Sequence, residues 1–348
     1  MGKRKVSIQT VAEEAGVSPS TVSRVLTGNA PVNPEKREKI EAIINKYNYR
    51  PNYASGASAT TAKKILGIVL PDVTHPYYGE AFVGAEAMAL ENGYGTLLGN
   101  TMNDRQASGH EMETMLFDLM IERNVSGLLL LGGSLDDENM SDKKAQQLCN
   151  LGSRIPLLTP GVAKPSWGGS TLVWNSSSIK RAAHYLLSLK HRRLGFLGGE
   201  PGINPTETRR HALIEAIEDA DLPFRPEWFV YSGFSIEDGV TAMERLLQNR
   251  EIPTAIMCVN DLVAVGVMHT AQKHGLRVPG DISIIGFDNI PLSKYLSPTL
   301  TTIDLKPREV GRMAAELLID AIEKRGRSRH LVIETELVIR DSCRRALD

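Results

Sequence analysis

The sequence predicts a small helix-turn-helix module of three helices, followed by an α/β body of two doubly wound parallel-sheet subdomains. Three observations carry this. The chain has 348 residues, about two domains' worth. Short apolar runs alternate with 12–18-residue helical patterns from residue 65 onward, as parallel strands with crossover helices require. The charge is also unevenly spread: the net charge is -1, yet residues 1–64 carry net +6 and the remainder net -7. A basic module on an acidic body suggests a polyanion such as nucleic acid for the small part only.

The head elements follow in order. Ser7 reads as the N-cap of a first helix with apolar positions Ile8, Val11, Ala12 and Ala15, and Gly16-Val17 as a tight turn. Ser18 caps the next helix and Pro19 occupies its first position, where a missing N–H costs nothing; Val22, Val25 and Leu26 form its inner face. Ser20, Thr21, Ser23 and Arg24 project from the first turns, the part of such a unit that enters a major groove. A third helix starts at Asn33-Pro34, with Ile40, Ile43, Ile44 and Tyr47 closing the core and Asn48 as a C-cap. Residues 51–62, PNYASGASATTA, carry one large side chain, Tyr53, and read as a linker.

In the body the strands fall at 65–70, 94–99, 127–131, 156–159, 170–174, 194–199, 254–259 and 282–287. Helices fall at 76–91, 105–123, 177–190, 206–220 and 261–274. Roughly 280 residues of such alternation exceed one open sheet, which gives two subdomains. On the helix at 307–324, Val310, Met313, Ala314, Leu317, Leu318 and Ala321 share a face that suits core or a subunit interface. The three cysteines, Cys149, Cys258 and Cys343, have no metal or disulfide spacing. The N-terminus lacks a signal-peptide core and no run is long enough to span a bilayer, so a soluble cytoplasmic protein is expected. No nucleophile elbow, phosphate loop or metal-binding His pair is present; neither catalysis nor a cofactor is expected.

The run SIQTVAEEAGVSPSTVSRVLTG with VNPEKREKIEAIINKYNYRPN, and later IPTAIMCVND, VPGDISIIGFDN and LSPTLTTID, resembles the LacI/GalR family of bacterial transcription regulators over nearly the whole chain. The resemblance implies a repressor, a homodimer or tetramer on a pseudo-palindromic double-stranded operator, with a periplasmic-binding-protein-like body controlled by a small-molecule effector, a carbohydrate. Its domains would be a DNA-binding head at 1–50, a hinge at 51–64 and a body at 65–340. Subdomain one would comprise 65–162 and 290–325, subdomain two 163–289 and 326–340. It implies that Pro19, Ser20 and Arg24 read bases, and that Ser7, Ser18, Thr21, Ser23 and Asn52 contact phosphates. Arg24 suits a bidentate contact to guanine. The hinge departs from the family: Ser58 stands where a Leu wedge is usual, and Gly56 disfavours a helix by about 1 kcal/mol relative to Ala.

Residues just past strand ends are cleft candidates in such folds: His75, Tyr77, Tyr78, Asn260, Asp261, Asp288 and Asn289. The resemblance places effector contacts at Tyr77, Tyr78, Arg209, Phe234, Asn260 and Asp288. Asn260 and Asp288 also suit helix or turn caps, Phe234 suits core, and Trp174 suits cleft or core. At Gly161, where family members carry an Asp, there is no side chain. The alternative is a transport-type solute-binding protein with the same body, which would have a signal peptide and no basic head.

Overall fold

The computed structural model describes residues 7–27, 32–47, 64–102, 109–161, 171–174, 177–324 and 329–347. The chain divides into two compact units, Met1–Ala62 and Lys63–Asp348. Among the described residues the first contains α1 (Ile8–Ala15), α2 (Pro19–Thr27) and α3 (Pro34–Tyr47). Ser7 and Thr10 form a reciprocal cap on α1, and Gly16 ends it in the left-handed conformation at φ 67°. Ser18 Oγ accepts from the Thr21 N–H at 3.3 Å and Asn33 Oδ1 from the Glu35 N–H at 2.9 Å, so each following helix has its expected cap. Val11, Ala12, Ala15, Val22, Ile40 and Ile43 form the core, with Val25, Leu26 and Ile44 packed against it. Tyr47 does not close this core. It is exposed, and the Lys46 ammonium lies over its ring while reaching Glu14 at 2.6 Å.

The body has two lobes. Lobe one is a four-stranded parallel sheet in the order β2-β1-β3-β4, formed by β1 (Ile65–Leu70), β2 (Gly95–Asn100), β3 (Gly127–Leu130) and β4 (Leu157–Leu158). The alternation along β1 divides its side chains between two cores. Leu66, Ile68 and Leu70 face α4 (Pro76–Glu91) and α11 (Pro307–Ile322), whereas Val69 faces α5 (Gly109–Glu122) and α6 (Asp142–Arg154). The apolar face of α11 is core: Val310, Ala314, Leu317 and Leu318 are buried, although Ala321 is exposed. α4 and α11 approach backbone to backbone, since a Cβ at Gly84 or Gly311 would overlap the carbonyl of Arg308 or Ala81 respectively.

Lobe two is a six-stranded sheet in the order β12-β10-β9-β8-β6-β7. Its members are β6 (Leu194–Leu197), β7 (Phe229–Val230), β8 (Ala255–Cys258), β9 (Ser283–Phe287), β10 (Thr301–Asp304) and the antiparallel β12 (Glu336–Val338). The helices α7 (Ser177–Ser188), α8 (Asn204–Asp219), α9 (Ile236–Leu246) and α10 (Asp261–Lys273) cover it. A short parallel ribbon pairs β5 (Thr171–Trp174) with β11 (His330–Ile333), and its Leu172 and Ile333 are buried in the lobe-one core.

All three subdomain boundaries therefore differ from the expected ones. Residues 301–304 belong to lobe two, because β10 pairs with β9 in register Thr301↔Ile285; the chain returns to lobe one after Asp304, not at 290. The ribbon strands at 171–174 and 330–333 pack on lobe one, not lobe two, because their inward side chains fill its core.

Candidate functional site

The head presents one face of short polar side chains. Pro19 and Ser20 are exposed at the start of α2 and Arg24 in its last turn; Ser7 and Ser18 are exposed too, while Thr21 and Ser23 are half-buried. Ser18 Oγ lies 2.8 Å from Ser20 Oγ and 2.9 Å from Thr21 Oγ1, which ties the three hydroxyls into one cluster. Ser7 Oγ and Ser18 Oγ accept the capping N–H bonds, and Ser7 Oγ also lies 3.2 Å from Thr10 Oγ1. The expected contacts at Asn52 and the hinge positions Gly56 and Ser58 lie outside the described residues, as does Asn48.

In the body, a cavity of about 270 Å³ lies between the lobes. All six residues expected there line it: Tyr77, Tyr78, Arg209, Phe234, Asn260 and Asp288. The topology explains their meeting. Tyr77 and Tyr78 open α4 after β1, Asn260 caps α10 after β8, Asp288 follows β9, and Arg209 lies in the second turn of α8 after β6. Parallel strands of each lobe thus deliver their C-terminal ends to one gap.

Arg209 is held on three sides: it donates to the Val259 carbonyl, its guanidinium lies 4.5 Å from the Phe287 ring centroid, and it approaches the Asp288 carboxylate at 3.7 Å. Asp288 is 5% exposed and has φ 105°, with Asn289 at φ 52° next to it. Left-handed backbone at two successive non-glycine residues is strain of the kind that collects at binding sites. Burial pushes the Asp288 carboxyl from 3.8 up to about 7 against the opposing pull of Arg209. Burial likewise pushes the Tyr77 phenol well above its usual range, so it stays a neutral donor. The Tyr77 and Tyr78 rings meet edge to face at 5.2 Å.

Asn260 combines both roles open to it. Its Oδ1 accepts from the Val263 N–H at 2.8 Å as the α10 cap, and its Nδ2 donates to the Phe234 carbonyl at 2.9 Å. Asp261 and Asn289, the other two post-strand polar residues, do not line the cavity. Asp261 is buried against the Thr302 hydroxyl at 2.6 Å and the Ile290 N–H at 2.9 Å, and Asn289 accepts from Arg340 at 2.5 Å. These contacts tie the end of β9 to β10 and hold the strained Asp288 turn.

Trp174 lines the cavity, and a Cβ at Gly161 would overlap its ring. The indole thus occupies the space of any side chain at 161. Asp136, Asn204 and Thr208 also line the cavity and escaped sequence reasoning. Asn204 and Thr208 lie one helical turn apart at the start of α8, 2.9 Å from Thr208 Oγ1 to Asn204 Oδ1, a pattern that in sequence resembles an ordinary helix start.

Comparison with known proteins gives the family. Residues 7–52 match the family described as bacterial regulatory proteins, lacI family, and residues 183–343 match a periplasmic binding protein-like domain. The chain is 30% identical to the ribose operon repressor of Haemophilus influenzae over 338 residues, covering 97% of this chain and 98% of that one. The chain belongs to the LacI family. The repressor CytR of Escherichia coli is also 30% identical, over 97% of this chain and 96% of its own. Among solved structures, a CelR–cellobiose complex superposes with a TM-score of 0.69 at 25% identity, over 97% of this chain and 100% of that one. This LacI-family chain is therefore a DNA-binding transcriptional regulator of the repressor type with an effector-binding body, and nothing in the comparisons favours the transport-type alternative. No helix among its described residues is long and apolar enough to cross a membrane.

Proposed function

We propose that this repressor binds its operator as a cytoplasmic homodimer, through Pro19, Ser20 and Arg24 at the bases and Ser7, Ser18, Thr21, Ser23 and Asn52 at the phosphates. A sugar or sugar derivative held in the inter-lobe cleft controls that binding. The observation that carries the effector reading is the convergence of Tyr77, Tyr78, Arg209, Phe234, Asn260 and Asp288, drawn from both lobes, on one cavity. A carboxyl group, an amide and a guanidinium suit paired hydroxyls, and the aromatic faces suit the C–H side of a sugar ring. A ligand touching both lobes stabilises one relative arrangement of them, and so shifts the body's conformational equilibrium by its differential affinity.

A second reading, a nucleobase or nucleoside, is favoured by the indole of Trp174 in the space beside Gly161, which offers a flat ring face instead of an acidic contact. A thermal-shift screen of D-ribose, D-glucose, cellobiose, cytidine and hypoxanthine tests both. A ligand at 100 times its Kd stabilises by about 2.7 kcal/mol, and Arg209→Ala should abolish the shift. A ligand that stabilises Arg209→Ala as much as the parent binds elsewhere and overturns the assignment.

A further inference from the structure

His75 and Asn260 meet across the cleft, and each caps a helix of a different lobe. His75 Nδ1 accepts the Tyr77 N–H at 3.3 Å at the start of α4. A ring nitrogen that accepts from an amide carries no proton, so the neutral imidazole has its proton on Nε2, a tautomer assigned by the bond network. The ring is neutral near pH 7: burial pushes its pKa from 6.5 to about 4, Arg209 acts in the same direction, and Asp72 opposes them. On the other side, the cap bond to Val263 and the bond to Phe234 fix which end of the Asn260 amide is which. His75 Nε2 lies 3.3 Å from Asn260 Nδ2. Two nitrogens that each carry a proton therefore lie together, on residues that both line the cavity.

We infer that the His75 Nε2–H and the remaining Asn260 Nδ2–H form a pair of donors, one from each lobe, which holds one oxygen or ring nitrogen of the effector. The inference rests on the cleft being the effector site. An acceptor about 2.9 Å from both nitrogens completes a triangle on the 3.3 Å base. Its arrival replaces a donor–donor contact with two hydrogen bonds, one to each lobe, so the lobes are pinned at this point only when the site is filled. The chemistry it selects is a carbonyl, ring ether, hydroxyl oxygen or pyridine-type nitrogen; an ammonium group is rejected. His75 is on this account a specificity-determining residue, with its ring held edge-on against Tyr78 at 5.5 Å.

Three measurements on the full chain test this. Two-bond 1H–15N correlation of the 15N-labelled protein, with the His75 signals assigned by their loss in His75→Asn, should show the Nε2–H tautomer. The Nδ1–H tautomer would make Asn260 an ordinary donor to Nε2 and overturn the inference. With no ligand added, His75→Asn keeps an oxygen to accept the Tyr77 N–H but loses the distal donor, so it should melt no lower than the parent. His75→Ala loses the cap as well and should melt lower; equal losses in the two variants overturn the inference. Any of D-ribose, D-glucose, cellobiose, cytidine or hypoxanthine that binds the parent should bind His75→Asn about tenfold more weakly, and unchanged affinity overturns it. Failure of all five probes to bind the parent would count against the proposed effector classes and not against the donor pair, which the first two measurements decide.

Discussion

Asp288→Asn removes a buried titration without changing the size of the side chain. Burial lifts the carboxyl from 3.8 to about 7, and a shift of roughly three units corresponds to about 4 kcal/mol between the two protonation states. Since the folded-state value is raised, the folded chain binds this proton more tightly than the unfolded one. The Asp288 contribution is therefore most favourable below about pH 4, falls by about 1.4 kcal/mol per unit as pH rises, and levels off above about pH 7. The amide of the variant does not titrate and has no such slope. Relative to the parent, Asp288→Asn should gain up to about 4 kcal/mol between about pH 4 and pH 8. The attraction to Arg209, 3.7 Å away, acts only on the ionised carboxyl and is already contained in the value of about 7. Urea unfolding of both proteins at several pH values across this window reads the difference directly. Parallel stability curves, or a parent that strengthens relative to the variant as pH rises, would refute the reasoning that burial outweighs the guanidinium at this site.

Arg24→Ala should cost about 1–3 kcal/mol on the specific operator and little on random DNA, measured by fluorescence anisotropy; equal losses on both would make Arg24 a phosphate contact. Gly311→Ala drives a methyl group into the Ala81 carbonyl where α4 and α11 cross, so it should destabilise lobe one by about 1–3 kcal/mol or more in thermal unfolding, and an unchanged melting temperature would contradict that close approach. Gly161→Asp forces the Trp174 ring from its place and puts a side chain at φ 86°; it should weaken binding of any cleft ligand and change tryptophan fluorescence, and a variant with parental affinity would show that the indole does not shape the site. Ser58→Leu supplies an apolar wedge to the hinge and should increase operator bending in circular-permutation gel mobility. A parent that already bends the site as sharply would assign the wedge to another residue, with Tyr53 the large side chain of that linker.

The elements legible in the sequence were those with strong local signals. β1 and α4 fall at 65–70 and 76–91, as the apolar run and the Pro76 start require, and each head helix begins at the hydroxyl or amide cap that its sequence shows. What escaped was short or decided at a distance. β7 is two residues long, and β10, TTID, is polar enough to resemble a loop. Its place beside β9 depends on partners far away in the chain, among them Asp261, which binds the Thr302 hydroxyl. The polar helix α6 and the capped helix α9 lie between strands whose apolar runs dominated the pattern. In the site, the post-strand rule located Tyr77, Asn260 and Asp288, but it could not separate them from Asp261 and Asn289, whose side chains turn inward to brace the same turns. The contact between Gly161 and Trp174 has no sequence signal, because it joins a missing side chain to a ring on another strand.

Selection of binding sites from a random double-stranded DNA pool with the purified full chain tests the central claim most directly. A dimer of these heads should enrich a two-fold pseudo-palindrome, with half-sites held at one spacing, and Arg24→Ala should lose preference at one base pair of each half-site. Enrichment of no sequence, or of a single asymmetric site that Arg24→Ala binds unchanged, would contradict the assignment of α2 as the operator-reading element.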